Sequence, residues 1–208
     1  MPTSADLFKK FTLESVAQIA TSKLKDQKEV RSKLADEYPM LADFWEELLP
    51  KGEDILIIRC HDQVHCIARQ SSKPEVLFFN HHGGFYYPHL RLLHKYPFIL
   101  KSHQVDIGGC RFVVSGANIM CQGLTSAGGR IQDNMDEDDL VAIYIEGKDH
   151  AVAVGKMMMS SDDIREKNKG PCIENVHHMG DGLWINYQLS ASHIGGGASA
   201  IRPEDAAK

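Results

Sequence analysis

The sequence predicts an α+β fold in which an N-terminal α/β domain is followed by a small β-barrel. Apolar residues recur at helical spacing in the first third of the chain, and short strand-like runs follow them. The second half consists mainly of short strand-like runs bounded by glycine or acidic residues, as in small barrels. A length of 208 residues allows two small domains. We place the α/β domain at residues 1–100, the barrel domain at 101–189 and a flexible tail at 190–208.

Three helices are predicted in the first third, each from apolar residues that share one helical face. The first covers residues 13–20 with Thr12 as its N-cap, the second ends before Pro39, and the third ends at Pro50. Such one-sided apolar faces normally bury inward. The three faces consist of Leu13, Val16, Ala17 and Ala20; Val30 and Leu34; and Leu41, Phe44, Trp45, Leu48 and Leu49.

Strands and one more helix complete the α/β domain. Three short β-rich segments are expected, the first two joined by a hairpin turn at residues 61–63. A fourth helix is predicted to begin at Pro88, where a missing N–H group costs nothing, and to end at Pro97. The expected strands are residues 55–59, 64–68 and 76–79.

The barrel domain is predicted from five short segments and one helix. Ser160 and the acidic residues after it favour a helix start, and Gly170 favours its end. In the last segment, Leu183 and Ile185 alternate with polar residues, which is the period of a half-buried strand. The expected strands are residues 110–114, 140–146, 151–158, 172–177 and 183–189.

The composition is typical of a globular cytoplasmic protein. No run of about 18 apolar residues is long enough to span a membrane, and the N-terminus lacks the apolar stretch of a signal peptide. The odd number of cysteines, five, does not form a disulfide framework. The net charge of −5 argues against strong non-specific binding of nucleic acid, so RNA binding needs segregated charge or a basic partner. Basic residues cluster at 23–33 and 91–101 and acidic ones at 133–139, where solvated surfaces explain them equally well.

Histidine and cysteine patterns could indicate chemistry, but none forms a recognisable site. Cys60, His61, His65 and Cys66 have metal-like spacing, yet they flank a predicted hairpin turn, and neighbouring strand residues point to opposite faces. Buried cysteines with exposed histidines explain the pattern better than a metal. No phosphate-binding, nucleophile-elbow or zinc-protease motif occurs. We therefore expect no enzyme activity, no metal and no cofactor, although catalytic groups can be distant in sequence.

The most informative segment is residues 112–123, F-V-V-S-G-A-N-I-M-C-Q-G. Glycines at both ends permit a sharp turn and leave bare backbone that a ligand can approach. The segment holds no acid, base or nucleophile, which suits a binding surface. The alternative is that Gly116 and Gly123 only mark a turn.

The context of this segment resembles a PUA domain, the small RNA-binding barrel of pseudouridine synthases and archaeosine transglycosylases. Together with L-R-L-L-H-K-Y-P-F-I-L at 90–100, the chain resembles the malignant T-cell-amplified sequence family of translation proteins over roughly residues 8–187. The matching motifs are V-D-I-G at 105–108, L-V-A-I-Y-I-E-G-K at 140–148, A-V-A-V-G-K-M-M-M-S at 151–160, K-G-P-C-I-E-N-V-H-H at 169–178 and D-G-L-W at 181–184.

The resemblance implies an N-terminal α/β domain packed on a C-terminal PUA-type barrel, without enzymatic activity. It further implies a density-regulated-protein-like partner, and action on the small ribosomal subunit in reinitiation, recycling, and delivery or release of tRNA. The PUA groove, carried onto this sequence, gives RNA-binding candidates, with Arg111, Lys101 and Lys156 as the nearest charges for phosphates. The candidates are Arg111, Ser115, Gly116, Ala117, Asn118, Met120, Cys121, Gly123, Leu124, Gly155 and Lys156.

Two other functions remain open at this point. The first is a protein-interaction scaffold whose groove binds no RNA, which the net acidic charge favours. The second is a hydrolase or modifying enzyme that uses the histidine pairs at 81–82 and 177–178. A basic patch beside the groove would favour RNA binding over the scaffold, and a convergent catalytic cluster in a pocket would favour the enzyme.

Overall fold

The computed structural model describes residues 4–21, 24–71 and 74–188. Its first half contains a five-stranded antiparallel sheet whose strands pair in sequence order. The strands are β1 (Val16–Thr21), β2 (Ile55–Cys60), β3 (Val64–Arg69), β4 (Val76–His81) and β5 (Tyr87–Pro88). The helices are α1 (Ser4–Lys9), α2 (Leu24–Glu37), α3 (Trp45–Leu48) and α4 (Leu90–Lys95).

One face of this sheet carries the largest core. Leu34 of α2 and Leu90 of α4 pack with Ile55, Ile67 and Phe78 of the strands, and all five side chains are fully buried. Burial of such side chains provides about 1.5–3 kcal/mol each, so this cluster fixes the helices on the sheet. Arg31, in the middle of α2, attaches the helix to the segment before β2 by donating to the carbonyl groups of Pro50 (2.8 Å) and Glu53 (3.0 Å).

The second half contains a five-stranded mixed sheet with the order β6-β8-β9-β10-β7. β6 and β8 are parallel, and the other pairs are antiparallel. The strands are β6 (Ser102–Val105), β7 (Ile119–Met120), β8 (Leu140–Ile145), β9 (Ala153–Met157) and β10 (Pro171–His178). The helices are α5 (Cys110–Val113), α6 (Cys121–Thr125), α7 (Ser161–Lys167) and α8 (Gly182–Ile185).

The second sheet packs on the first domain, as the sequence predicted. Along β8, Val141 and Ile143 belong to the core of the second half, whereas Ala142 joins the large core of the first half. Val176 of β10 and Leu183 of α8 join a further cluster that contains Phe8, Phe79 and the cysteines of β2 and β3. The two domains therefore share buried apolar surface rather than touching through polar side chains alone.

Several predicted elements are confirmed. The strands at 55–59, 64–68 and 76–79 are β2, β3 and β4, and residues 61–63 form the turn between β2 and β3 with positive φ at Asp62 (56°) and Gln63 (58°). Helix α7 begins after Ser160, whose hydroxyl accepts a hydrogen bond from the Asp163 N–H group at 3.2 Å. It ends at Asn168 in the left-handed conformation, two residues before Gly170.

Other predictions were wrong. The expected helix at 13–20 is a 3-10 turn (Leu13–Ser15) followed by β1, because pairing with β2 outweighs the helical spacing of the apolar residues. The third helix is mostly 3-10 (Pro39–Phe44), and only Trp45–Leu48 is α-helical. The fourth helix begins at Leu90, since Pro88 belongs to β5 and His89 is the N-cap.

Two expected strands of the barrel domain are helical. Residues 110–113 form α5, and 182–185 form α8, which Asp181 caps by accepting from the Trp184 N–H group at 2.7 Å. A half-buried strand would bury Leu183 and Ile185 together, but Leu183 is fully buried and Ile185 is 66% exposed. Segments of four or five residues are too short for their apolar pattern to distinguish a strand from one helical turn. The predicted tail at 190–208 lies outside the described residues.

Candidate nucleic-acid interface

A groove of about 590 Å³ opens on the second half of the chain, where β6 ends and β7 begins. One wall comes from the end of β6, the 3-10 turn Ile107–Gly109 and α5, and the other from β7 and α6. The lining residues are Val105, Asp106, Gly108, Gly109, Phe112, Val113, Ala117, Asn118, Ile119, Met120, Gln122, Gly123 and Ser126.

The groove presents exposed apolar side chains. Phe112 on one wall is 52% exposed and Met120 on the other is 45% exposed. Arg111 places its guanidinium 4.6 Å from the centre of the Phe112 ring. Apolar surface with a cation at its edge is suited to flat rings that carry negative groups.

The turn between the two walls covers residues 114–118, and we call it the glycine turn. Gly116 has φ of 85°, and a Cβ atom there would lie 2.9 Å from Nε2 of His178. Ser115 and Ala117 donate their N–H groups to the Phe112 carbonyl at 3.2 and 3.0 Å, and Gly116 donates to the Val113 carbonyl at 3.0 Å. Glycine at 116 is thus required both by the backbone conformation and by the space beneath it.

Asp106 organises the opposite end of the groove. One carboxylate oxygen accepts from the Gly109 N–H group at 3.2 Å, and the other accepts from the Ser126 hydroxyl at 3.0 Å. The Asp106 N–H group donates to the Gly123 carbonyl at 3.0 Å. A Cβ atom at Gly109 would collide with Val105, so the close approach of these segments depends on that glycine.

Positive charge reaches the groove from two parts of the chain. Arg111 belongs to α5, whereas Lys9 of α1 reaches across from the first domain and donates to the Ser115 carbonyl at 3.1 Å. Asp106 is the one charged side chain among the lining residues of the described chain. The groove itself is therefore apolar and slightly acidic, with cations only at its margin.

Comparisons with known proteins agree with this architecture. Residues 8–97 match the model of the Pre-PUA-like domain, and residues 101–179 match that of the PUA domain. Malignant T-cell-amplified sequence 1 of Danio rerio is 46% identical over 182 residues, which cover 86% of this chain and 97% of the relative. The homolog from Dictyostelium discoideum is 41% identical over 185 residues, covering 88% of this chain and all of the relative (100%). The chain belongs to the malignant T-cell-amplified sequence family.

Solved structures show the same fold. A hypothetical protein of Pyrococcus horikoshii superimposes with a TM-score of 0.64 at 21% identity, covering 82% of this chain and 99% of the other. A PUA domain protein of Thermoplasma acidophilum gives a TM-score of 0.56 at 17% identity with the same coverage, 82% and 99%. The predicted family and fold class, α+β with a PUA-type barrel, are thus confirmed. The exact domain limits at residues 100 and 189 remain predictions.

The predicted site residues fall into two groups, seven that lie in or beside the groove and four that do not line it. Ala117, Asn118, Met120 and Gly123 line the groove. Arg111, Ser115 and Gly116 lie beside it on α5 and the glycine turn. All seven are close together, and their role in RNA binding remains a prediction.

The other four predicted residues do not line the groove. Cys121 and Leu124 face inward and belong to the core of the PUA domain. Gly155 is buried on β9, where a Cβ atom would lie 2.8 Å from the Glu174 carbonyl oxygen. Lys156 forms an ion pair with Asp138 at 2.7 Å, which raises the pKa of its ammonium group.

Sequence reasoning missed three of the lining residues that matter. Asp106 belongs to the V-D-I-G motif at 105–108, which was used for the resemblance only, and Gly109 directly follows that motif. Phe112 was assigned to a strand, so its exposure was not anticipated. An aspartate followed by two glycines and an apolar run is a signal for a capped helical turn, and it could have located this wall.

The histidines, cysteines and acidic residues of the described segments do not assemble a metal site. No group of three or more His, Cys, Asp or Glu side chains within them could hold a metal ion. Cys60 and Cys66 are both buried, and a hydrogen bond between them, together with burial, raises the pKa of the Cys66 thiol well above its usual range. His61 is exposed and His65 is half-buried, so the four residues do not converge.

His177 and Asp181 form a buried pair joined at 2.7 Å, in contact with the first domain rather than with the groove. Burial alone would raise the pKa of the Asp181 carboxyl, but the charge and hydrogen bond of His177 lower it overall. The pair is therefore part of the contact between the two domains. No helix in the described segments has the length and apolarity needed to cross a membrane.

Proposed function

We propose that this protein is a cytoplasmic RNA-binding translation factor. It acts on the small ribosomal subunit with a density-regulated-protein-like partner, in reinitiation, in recycling, and in delivery or release of tRNA. Family membership and the PUA domain support the general role. The single observation that carries the proposal is an exposed apolar groove with arginine and lysine at its margin.

The ligand that suits this groove is the single-stranded end of an RNA, and we propose the acceptor end of a tRNA. Unstacked bases can lie against Phe112 and Met120, because every base offers a flat apolar face. Arg111 and Lys9 can contact the phosphates of the same strand. A duplex hides its bases and would gain little from Phe112 and Met120.

The acidic net charge of −5 supports the proposal that a partner takes part in RNA binding. Each phosphate that a protein neutralises releases counterions, and this chain offers few cations at the groove. Binding by the chain alone is therefore weak. A partner or the ribosome must supply the remaining contacts, and tethering the sites raises the overall affinity.

The alternative is a scaffold whose groove takes an apolar peptide rather than RNA. The observation that favours it is the lining itself, in which Asp106 is the one charged side chain of the described residues. A catalytic role has less support, because the groove lining of the described chain contains no histidine, lysine or cysteine. The carboxylate of Asp106 is occupied by the hydrogen bonds from Gly109 and Ser126 that hold this end of the groove together.

The deciding experiment is a titration of tRNA, and of tRNA trimmed of its single-stranded 3′ end, into the protein with its partner. Phe112→Ala removes the exposed ring from the groove, and Phe85→Ala is the matched control because Phe85 is equally exposed at 56%. We expect Phe112→Ala to lose about tenfold in affinity for intact tRNA, since stacking on an aromatic ring contributes ~1–3 kcal/mol per base. Phe85→Ala shows the effect of losing an exposed ring that does not line the groove. The trimmed tRNA shows the affinity without the single-stranded 3′ end. Equal affinity of Phe112→Ala and the parent protein for intact tRNA would favour the scaffold.

A further inference from the structure

The glycine turn is fastened to β10 by one buried side chain. Asn175 is fully buried, and its amide nitrogen donates to the Val113 carbonyl at 2.9 Å and to the Ala117 carbonyl at 3.1 Å. Its backbone N–H group donates to the side-chain oxygen of Asn118 at 3.1 Å. The residue thus contacts both ends of the turn that separates the two groove walls.

The position of Asn175 in the sheet explains how it can form these hydrogen bonds with the glycine turn. β7 pairs with β10 only as far as Ile173, and the pairing of β10 with β9 is irregular between Asn175 and His177. The edge of β10 beyond Ile173 therefore has backbone groups without a strand partner, and Asn118 satisfies one of them. A buried amide nitrogen is costly unless it is hydrogen-bonded, so the turn and Asn175 fix each other through this nitrogen. The side-chain oxygen of Asn175 is buried without a hydrogen-bond partner in the described chain.

The centre of the turn is supported from below by His178. Its ring lies directly under Gly116, and its Nδ1 atom is 3.0 Å from the Met179 carbonyl oxygen. Both supporting residues come from β10, a strand that lines no part of the groove itself.

We infer that Asn175 is a positioning residue for the RNA groove. Its amide holds the Val113 and Ala117 carbonyls in place, and these flank the turn between the wall of Phe112 and the wall of Met120. Asn175 therefore sets the separation of the two apolar surfaces without touching the ligand. This inference rests on the proposed function, because it concerns how the same groove is kept ready to accept unstacked bases.

The test uses Asn175→Ala, with Asn80→Ala as the matched control. Asn80 is also a buried asparagine in a strand, but it lies on β4 in the first domain. Each variant is titrated with tRNA in the presence of the partner at two salt concentrations, below its melting temperature. Hydrogen exchange of the amides at 114–118 is followed in the free proteins.

We expect Asn175→Ala to lose about tenfold in affinity with an unchanged salt slope, since no phosphate contact is removed. Exchange should accelerate at the glycine turn while the rest of the PUA domain stays protected. Asn80→Ala should keep the parent affinity even if its melting temperature falls. A residue with only a structural role would lower the melting temperature without changing the affinity of the folded protein or the local exchange.

Two results separate this inference from the proposed function. If Asn175→Ala binds like the parent while Phe112→Ala is weakened, the groove is the RNA site but Asn175 does not position it. If neither variant is weakened, the proposed function itself fails. Should Asn175→Ala not fold, Asn175→Ser keeps one donor in a smaller side chain, and the same loss of affinity is expected from it; parent-like binding by Asn175→Ser would overturn the inference.

Discussion

The ammonium group of Lys9 donates a hydrogen bond to the carbonyl oxygen of Ser115 at 3.1 Å, although 106 positions separate the two residues. The contact joins the first helix of the chain to the glycine turn of the PUA domain. It is exposed, so it contributes little to stability. Its importance is that it brings a positive charge to the turn beside an apolar groove, in whose lining Asp106 is the one charged side chain of the described residues.

The first prediction concerns this charge. Lys9→Ala should change the unfolding free energy by less than about 1 kcal/mol, because the hydrogen bond is exposed. It should weaken tRNA binding and reduce the salt slope by about one unit if Lys9 contacts a phosphate. Fluorescence titration at several salt concentrations measures both quantities. Lys10→Ala is the control, since Lys10 is exposed and the hydrogen bond to Ser115 comes from its neighbour Lys9; equal slopes for the two variants would contradict the assignment.

The second prediction concerns the glycine turn. Gly116→Ala should destabilise the PUA domain by roughly 1–3 kcal/mol, because alanine is strained at positive φ and its Cβ atom would press on His178. Gly147→Ala is the control, with φ of 73° and no atom within 4 Å of the added carbon. It should carry only the backbone cost of about 1–2 kcal/mol. Denaturant unfolding compares the two variants. If the Gly116 variant is no less stable than the Gly147 variant, the side chain of His178 moves aside without a measurable cost.

The third prediction concerns pH. Burial, with a smaller effect from Arg165, lowers the pKa of His103 from 6.5 to about 4, and its Nδ1 atom accepts the Gln132 N–H group at 2.9 Å. The unfolded chain binds a proton on this residue below pH about 6.5, whereas the folded protein does so only near pH 4. The unfolding free energy should therefore fall as the pH drops through this window, by at most roughly 3 kcal/mol from His103.

His103→Asn tests the origin of this loss. The asparagine oxygen can replace Nδ1 as the acceptor, but the side chain does not titrate. Denaturant unfolding between pH 4 and pH 7 should show a flatter profile for the variant. Burial also lowers the pKa of His89, so some dependence on pH should remain. Identical profiles for the variant and the parent protein would exclude His103 as a source.

The fourth prediction concerns the partner. Co-expression with a density-regulated-protein-like chain should give a stable heterodimer on size-exclusion chromatography with light scattering. The heterodimer should bind tRNA and small subunits more tightly than this chain alone, whose net charge of −5 disfavours RNA. A protein that stays monomeric beside the partner and binds RNA at nanomolar affinity alone would count against the proposed function.

Local signals were enough to predict part of the fold. β2, β3 and β4 follow from short runs of apolar residues bounded by polar turns, and α7 follows from the capping hydroxyl of Ser160. The wall at 110–113 was assigned to a strand because so short a segment fits either period. What decides its conformation is the pair of glycines and the Asp106 carboxylate before it, together with Val113 packing inward.

The candidate site, like the fold, could be predicted from the sequence only in part. Ala117, Asn118 and Met120 could be predicted together because they are adjacent in sequence. Lys156 was included as one of the nearest charges that could hold phosphates beside the groove implied by the resemblance, but its side chain pairs with Asp138. Asn175 could not be predicted, because its bonds to the turn span about sixty positions and an asparagine in a strand carries no signal of its partners.

The side chains of β10 contact two different parts of the molecule. Asn175 and His178 face the glycine turn, whereas Val176 and His177 face the first domain. The PUA domain of this chain is for that reason not an interchangeable module. A fragment cut at residue 100 would expose Val176 and Leu183 to water and would lack Lys9, so its groove would lose support on two sides. Affinities measured on such a fragment would underestimate those of the intact protein, and grafting the domain onto another protein would require the transfer of α1 as well.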